Sequence, residues 1–477
     1  MIAIAQISPI LLVIAMILLF RRPPEQAAIG GAALAAILWA AGLGARVTPE
    51  TATAIGFDTA VLFGSIAAVI LPGLAFVMSI EPGGSNQALV DWIRRLGWSS
   101  GQQVIFIVLG LAPMLEAMTG FGVSLIATVP LLLSLVERNR ALRIALAGMG
   151  IMPWGILGLP TLVGAKLAHL RPALLGQLST IASAPVFLAL VVMALWISGR
   201  RGMGIYAAGI LAWLVFMTTL FWLNRTAGPE LAGVGAGACV VLIGVLVARL
   251  QRCSSLSFPR EAWPYLALLG VLLAVRLAVA ATGTDSALVV HGVDISWNPL
   301  TSPGPALLIV SLTSMLRARQ AVSAETLARR AAKPLLTIVF FLLMSQLLVK
   351  AGFLDSLRPA LGRLDQATLT PLIAVLGVLS GYVTGSNIGG NAVAMSSIAY
   401  LGSAHLNWLA ALQNSAAGHG ALGSLPIVAL IVGLARPSRE EEHRLVRFGF
   451  LLVVANMIML AGVGILFVYC NAFLDWD

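Results

Sequence analysis

The stretch EAMTGFGVS, residues 116–124, sets a carboxylate and two glycines inside an apolar run that extends from about residue 102 to 136. A second stretch, TGSNIGGN at residues 384–391, interrupts the apolar run 369–402 in the same way. Helix breaks at membrane depth are tolerated only where they are buried in protein or line a cavity. Each run is therefore interpreted as a helical hairpin that enters and leaves a membrane on the same side.

The composition of the whole chain also favours a membrane protein. Of its 477 residues, 59% are hydrophobic and only 10% are charged, whereas about 25% of the residues of a soluble domain are charged. Long apolar runs recur throughout. We predict an all-α polytopic membrane protein with about 12 transmembrane helices besides the two hairpins, at 5–20, 26–44, 59–80, 144–165, 178–198, 203–222, 231–250, 263–282, 302–316, 334–349, 407–434 and 448–470.

The basic residues predict the orientation of the chain. Its net charge of +10 does not indicate nucleic-acid binding, because the Lys and Arg residues lie in short loops without an aromatic stacking motif. With the N-terminus outside, 21 of the 29 Lys and Arg residues fall in inner loops and seven in outer loops. This bias follows the positive-inside rule and predicts a multi-pass protein of the bacterial cytoplasmic membrane.

Internal similarity predicts inverted-topology repeats. Three dipeptides recur at an offset of 265 or 266 residues: Leu96-Gly97 with Leu361-Gly362, Thr119-Gly120 with Thr384-Gly385, and Leu159-Pro160 with Leu425-Pro426. The segments 1–200 and 259–477 are the predicted repeats, 201–258 connects them, and their hairpins enter from opposite sides. Inverted repeats with broken helices are typical of secondary transporters, which hold the substrate between the repeats.

Glu116 is interpreted as the proton-coupling residue. It is the only carboxylate deep inside a predicted span, and the cost of desolvation there favours its protonated form. A structural glutamate, paired with backbone groups, is the alternative. Arg276, the only basic residue within a span, could bind a substrate carboxylate, pair with Glu116 or extend to the interface.

The hairpin turns and a later polar segment form the predicted substrate-binding site. Turn glycines at a helix N-terminus can expose N–H groups to an anion. Glycine packing and interhelical hydrogen bonds are the alternatives, and for His419 both interpretations stay open. The predicted substrate-binding residues are Thr119, Gly120, Phe121, Gly122, Arg276, Thr384, Gly385, Ser386, Asn387, Asn391, Asn414, Ser415 and His419.

The sequence lacks the motifs of the common enzyme classes. It has no Walker motif and no protease-type spacing of Ser, His and Asp, and its three cysteines are far apart. We therefore expect neither an enzyme nor a metal or other cofactor.

Three elements resemble the L-lactate permease family. The E-A-x-x-G-F-G element of that family is similar to residues 116–122, its G-S-D-x-x-x-N-A element to 385–392, and its N-S-x-x-G element to 414–418. The resemblance implies proton-coupled symport of L-lactate or a related 2-hydroxy monocarboxylate such as glycolate. Asn387 stands where the family has Asp, so one ionisable group is absent, and residues 421–424 lack the expected Gly-Lys stretch.

The leading hypothesis is thus a secondary active transporter that moves a small carboxylate together with protons. A sodium-coupled carrier of another organic anion and a membrane subunit that does not transport are the alternatives. The lipid bilayer is the expected surrounding, and homo-oligomerisation is left open.

Overall fold

The computed structural model describes residues 2–20, 22–81, 83–95, 98–120, 122–199, 202–250, 259–283, 288–353, 355, 364–400 and 405–470. The first half contains α1 (Ile2–Leu18), α2 (Pro24–Ala40), α3 (Pro49–Ile80), α4 (Ser85–Arg94), α5 (Ser100–Thr119), α6 (Val123–Leu135), α7 (Arg138–Ala147), α8 (Gly155–Leu167), α9 (Pro172–Ile197), α10 (Met203–Thr226) and α11 (Pro229–Leu250). The second half contains α12 (Trp263–Thr282), α13 (Gly304–Ala318), α14 (Ala324–Lys350), α15 (Gln366–Thr384), α16 (Asn387–Tyr400), α17 (Leu406–Ala421), α18 (Leu425–Ala435) and α19 (Arg439–Cys470).

The all-α membrane class is confirmed. Among the described residues, ten helices are long and apolar enough to cross a membrane, or eleven if the bent pair α7–α8 is one span. This count differs from the prediction because it includes the hairpin arms α5 and α15 and leaves out α1, α2 and α13, none of which exceeds 17 residues. The described strands are β1 (Val290–His291) and β2 (Ser296–Trp297), which pair antiparallel between α12 and α13.

Both hairpins occur where the sequence predicts them. α5 turns back into α6, and α15 turns back into α16. Each hairpin is followed by a broken helix, α7–α8 or α17–α18, and then by a long helix, α9 or α19. α10 and α11 lie in the predicted connecting region, and the inverted relation of the two repeats stays a prediction.

Two contacts show which helix ends lie on the same side of the molecule. Arg330 forms an ion pair with Glu81 at 3.3 Å, and both belong to loops predicted to be inside. At the other end, the Ala45 N–H donates to the Ala351 carbonyl oxygen at 2.7 Å, and both loops were predicted to be outside. We refer to these ends as the inner side and the outer side.

The long helices pack into two bodies. α1–α3 and α12–α14 pack on one another and form the six-helix body, whereas α5–α11 and α15–α19 form the hairpin body. The two bodies meet chiefly where α14 packs on α16. Each body takes helices from both halves of the sequence. Residues of both hairpin tips lie at the interface between the bodies.

Candidate functional site

A cavity of about 450 Å³ lies at this interface and contacts the tips of both hairpins. α2, α3 and α14 of the six-helix body form one wall, and the hairpin tips and both helix breaks form the other. Its lining residues include Glu116, Gly120, Ile156, Pro160, Lys333, Thr337, Thr384, Gly385, Ser386, Asn387, Gly389 and Pro426. We call it the central cavity.

The first hairpin tip is built around the Glu116 carboxylate, which is only 1% exposed. The Gly122 N–H donates to Glu116 Oε1 at 3.0 Å, and the Ser124 hydroxyl donates to Oε2 at 2.8 Å. Gly120 and Gly122 have φ angles of 66° and 73°, which let the chain reverse within this short turn. Both donors belong to the hairpin itself, so the Glu116 carboxylate joins the end of α5 to the start of α6.

The helix break beside this tip has an unusual backbone. Ile156, Leu157 and Gly158 have φ angles of 48°, 54° and 71°, a left-handed stretch that is strained for a β-branched residue such as Ile156. A few residues earlier, at 148–151, α7 and the segment Met152–Leu167 meet at an angle of 53°. The prediction of one continuous span at 144–165 is therefore wrong. The Ile156 side chain fills the space beside Gly120, where an added Cβ would lie 2.0 Å from Ile156 Cγ1.

The second hairpin tip carries neutral polar groups. α15 ends at Thr384 and is followed by Gly385, whose φ is 66°, and α16 begins at Asn387 beside the central cavity. The Ser386 hydroxyl accepts from the Gly389 N–H at 3.4 Å and caps α16. Asn387 is 3% exposed, and its Oδ1 has no hydrogen-bond partner among the described residues. A helix N-terminus and a buried amide therefore meet at one side of the cavity.

A polar cluster behind this tip joins four helices. Asn414 Nδ2 donates to the hydroxyls of Thr161 and Ser179 at 3.0 Å each. Its Oδ1 accepts from Asn391 Nδ2 at 2.8 Å and from Asn387 Nδ2 at 3.4 Å. The cluster thus connects the second hairpin with both broken helices and with α9, and it fixes the orientation of the Asn387 amide.

The predicted substrate-binding residues separate into two groups. Those that line the central cavity, together with the proposed proton site Glu116, are Gly120, Thr384, Gly385, Ser386 and Asn387. Thr119, Gly122, Asn391, Asn414, Ser415 and His419 lie in the surrounding structure and are not among the residues that line it. The Thr119 hydroxyl bonds the Leu115 carbonyl oxygen of its own helix, and the buried His419 packs edge-on against Phe187.

The contacts of two further predicted site residues are not described by the structure. Phe121 and the side chain of Arg276 lie outside the described residues. α12, which carries Arg276, packs chiefly on α13, and its neighbours Leu273 and Leu277 are exposed.

Sequence reasoning missed a second buried carboxylate. Asp58 is fully buried in α3, which begins ten residues before the predicted span at 59–80. It forms an ion pair with Lys350 at 2.7 Å and accepts from the Val293 N–H at 2.6 Å. Lys350 also pairs with Asp294. The predicted span began one residue too late to include Asp58, and the partners of Asp58 are distant in sequence.

Comparison with known proteins supports the fold. No protein-family model and no curated protein matches the chain. The solved structure of the YdaH transporter from Alcanivorax borkumensis, described as having an unusual topology, is similar to it with a TM-score of 0.50. The sequences are 14% identical, and the match covers 94% of this chain and 98% of that chain. The chain is therefore a polytopic helical membrane protein with a fold similar to that of a transporter, and its resemblance to L-lactate permeases stays a hypothesis.

Proposed function

We propose that the protein is a secondary active transporter that moves L-lactate, or a related small 2-hydroxy monocarboxylate, together with protons. The observation that carries this proposal is the central cavity. It is lined both by the buried Glu116 carboxylate of the first hairpin tip and by the N-terminus of α16 at the second tip, a feature suited to binding an anion. The similarity in fold to the YdaH transporter supports transport in general.

The substrate carboxylate binds at the second tip. The N-terminus of α16 presents backbone N–H groups and a partial positive charge, which stabilise an anion. The Asn387 amide and the Ser386 hydroxyl lie beside it and are suited to the carboxylate and hydroxyl of a 2-hydroxy acid. A cavity of about 450 Å³ leaves room for such a substrate with accompanying water.

The proton binds at the first tip. Protonation removes the charge of Glu116 and changes the acceptors available to the Gly122 N–H and the Ser124 hydroxyl. Movement of the hairpin body relative to the six-helix body would then expose the cavity between the two tips first to one side of the membrane and then to the other. The position of the cavity between these bodies supports such a movement.

Uptake of labelled L-lactate into proteoliposomes tests the proposal. With an inward proton gradient we expect accumulation above equilibrium, and collapse of the gradient with an ionophore should abolish it. Uptake of neither L-lactate nor glycolate under either condition would reject the proposed substrate class.

Sodium coupling is the second candidate, and one observation favours it. The Oδ1 atoms of Asn387 and Asn391 are buried oxygens without a hydrogen-bond donor among the described residues, and oxygens of this kind are ligands for a hard cation. In the same proteoliposomes, accumulation driven by a sodium gradient at equal pH would select this mechanism over proton coupling.

A further inference from the structure

A second cavity of about 580 Å³ lies on the outer side of the same interface. The outer ends of α8, α9 and α11 form its wall on the hairpin body. α3, the end of α12 and the loop before α13 form its wall on the six-helix body. We call it the outer cavity.

Only a thin layer of apolar side chains separates the outer cavity from the central one. On α3, Val69 lines the outer cavity and its neighbour Ile70 lines the central cavity. On α8, Leu159 lines the outer cavity and Pro160 lines the central cavity. The two cavities therefore adjoin one another along α3 and α8.

On the six-helix body, the wall of each cavity includes the third helix of one triplet. In the central cavity α14 contributes Lys333 and Thr337, and in the outer cavity α3 contributes Ser65 and Val69, each pair four residues apart. α3 and α14 are the third helices of the two triplets that make up the six-helix body. This correspondence is expected if the two cavities are opposite halves of one transport pathway.

The charges of the outer cavity suit a carboxylate. Among the described residues that line it, Lys166 is the one cation, and the wall of the six-helix body opposite it has only uncharged polar groups such as Asn298 and Thr301. Glu230 also lines the cavity, is 5% exposed, and acts electrostatically on Lys166. Because Glu230 lies in the first turn of α11, the helix N-terminus also stabilises its charge. Lys166 is thus the group in this cavity that attracts an incoming anion.

We infer that the outer cavity is the vestibule of the transport pathway and that Lys166 binds the substrate carboxylate there before it reaches the central cavity. This inference rests on the proposed function. Glu230 is the counter-ion of Lys166 while the vestibule is empty, and it competes with the substrate for the ammonium group. The site would accept small organic monoanions and discriminate against neutral analogues.

Sided transport assays with Lys166→Met test the inference. In intact cells, where the outer side faces the medium, we expect the KM for L-lactate uptake to rise about tenfold, since a charge-assisted contact is lost. In inverted vesicles, which present the inner side, KM should stay close to that of the wild type. Arg225→Met is the matched control: Arg225 is an exposed cation near the outer side that stacks on Trp222, and its loss should leave both KM values unchanged.

Glu230→Gln separates binding from a structural role. If Lys166 binds substrate, removing its competitor should lower the outer KM or leave it unchanged, and Lys166→Arg should retain most of the affinity. If Lys166 serves only as the ion-pair partner of Glu230, both single variants should impair transport in the same direction. That result, or an unchanged outer KM in Lys166→Met, would overturn the inference. Lack of transport by the wild type would instead reject the proposed function.

Discussion

The two hairpin tips occupy corresponding places in the chain but differ in chemistry. The first tip contains Glu116, whose two carboxylate oxygens accept hydrogen bonds from the turn itself. The second tip contains Asn387, whose amide nitrogen is held by Asn414 and whose oxygen has no described donor. One tip is ionisable and self-contained, whereas the other is neutral and depends on the neighbouring helices.

This difference suggests a division of labour between similar structures. A carboxylate in an anion site would repel the substrate whenever it is ionised. With the ionisable group on the opposite tip and an amide beside the N-terminus of α16, both a proton and an anion can be bound in one cavity. Asn387, at the position where the similar element of L-lactate permeases has Asp, is therefore compatible with the proposed proton coupling, provided that Glu116 alone carries the proton.

Glu116→Gln should give the largest effect. Glutamine keeps the size of the side chain but cannot exchange a proton, so lactate accumulation driven by a proton gradient should fall to equilibrium while lactate–lactate exchange persists. Accumulation and exchange are measured in the same proteoliposomes. Glu25→Gln, which removes another carboxylate from the lining of the cavity, should still accumulate lactate. Accumulation by Glu116→Gln equal to that of the wild type would assign the proton to another group.

Replacing a tip glycine with alanine should destabilise the protein more at the first turn than at the second. Gly120 has φ 66° and ψ −165°, a region open essentially only to glycine, and it faces Ile156. Gly120→Ala should therefore cost about 3 kcal/mol or more. Gly385 has φ 66° and ψ 17°, the left-handed helical region, where backbone strain alone costs alanine about 1–2 kcal/mol. An added Cβ there would lie 2.7 Å from Pro426 Cγ, a milder clash than the 2.0 Å contact at Gly120.

The unfolding free energies of the purified variants in detergent check this order. Gly155→Ala is the matched control, because Gly155 lines the same cavity, has a negative φ, and has open space where a Cβ would lie. Its stability should stay within about 0.5 kcal/mol of the wild type. Equal losses for Gly120→Ala and Gly385→Ala would mean that Ile156 moves aside and that the first tip is not the tighter turn.

Asn414→Ala should uncouple the second tip from its support. It removes the partner of Asn391, Thr161 and Ser179, and we expect a loss of about 1–3 kcal/mol in stability. Ser415→Ala, which removes one hydrogen bond to the Ser179 carbonyl oxygen, should cost about 0.6 kcal/mol. Thermal unfolding measures both. Because the first tip does not use Asn414, proton-dependent coupling should survive at reduced substrate affinity.

Much of the fold could be predicted from local sequence patterns. Apolar length and glycine-rich breaks placed both hairpins within a few residues, because membrane helices satisfy their hydrogen bonds within themselves. The break at Ile156 was missed because the predicted span 144–165 is apolar throughout, although glycines and prolines at positions 153, 155, 158 and 160 surround it. The division into two bodies was also missed, because it depends on contacts between distant segments.

The candidate site was predictable only in part, for the same reason. Glu116 and residues 384–387 stood out as polar groups at helix breaks, where chemistry and position coincide. Asn414 also stood out, but hydropathy cannot distinguish an amide that lines a cavity from one that supports it, and the structure makes it a support. Lys166 lies near the end of an apolar span, a common place for lysine, and only the cavity around it suggests a role.

Asn387→Asp gives the smallest expected change and the finest test of the comparison between the tips. At the acidic end of the pH range, where protonation of the new carboxyl group is favoured, lactate affinity should remain within about threefold of the wild type. As pH rises, ionisation places a negative charge beside the N-terminus of α16, where it occupies the anion site and repels the substrate. The KM of this variant should therefore increase between pH 6 and 8 more steeply than that of the wild type, while Asn387→Ala should show a raised KM without the added slope. Identical pH profiles for Asn387→Asp and the wild type would mean that the substrate carboxylate binds away from the second tip, and the proposed division between a proton tip and an anion tip would then be wrong.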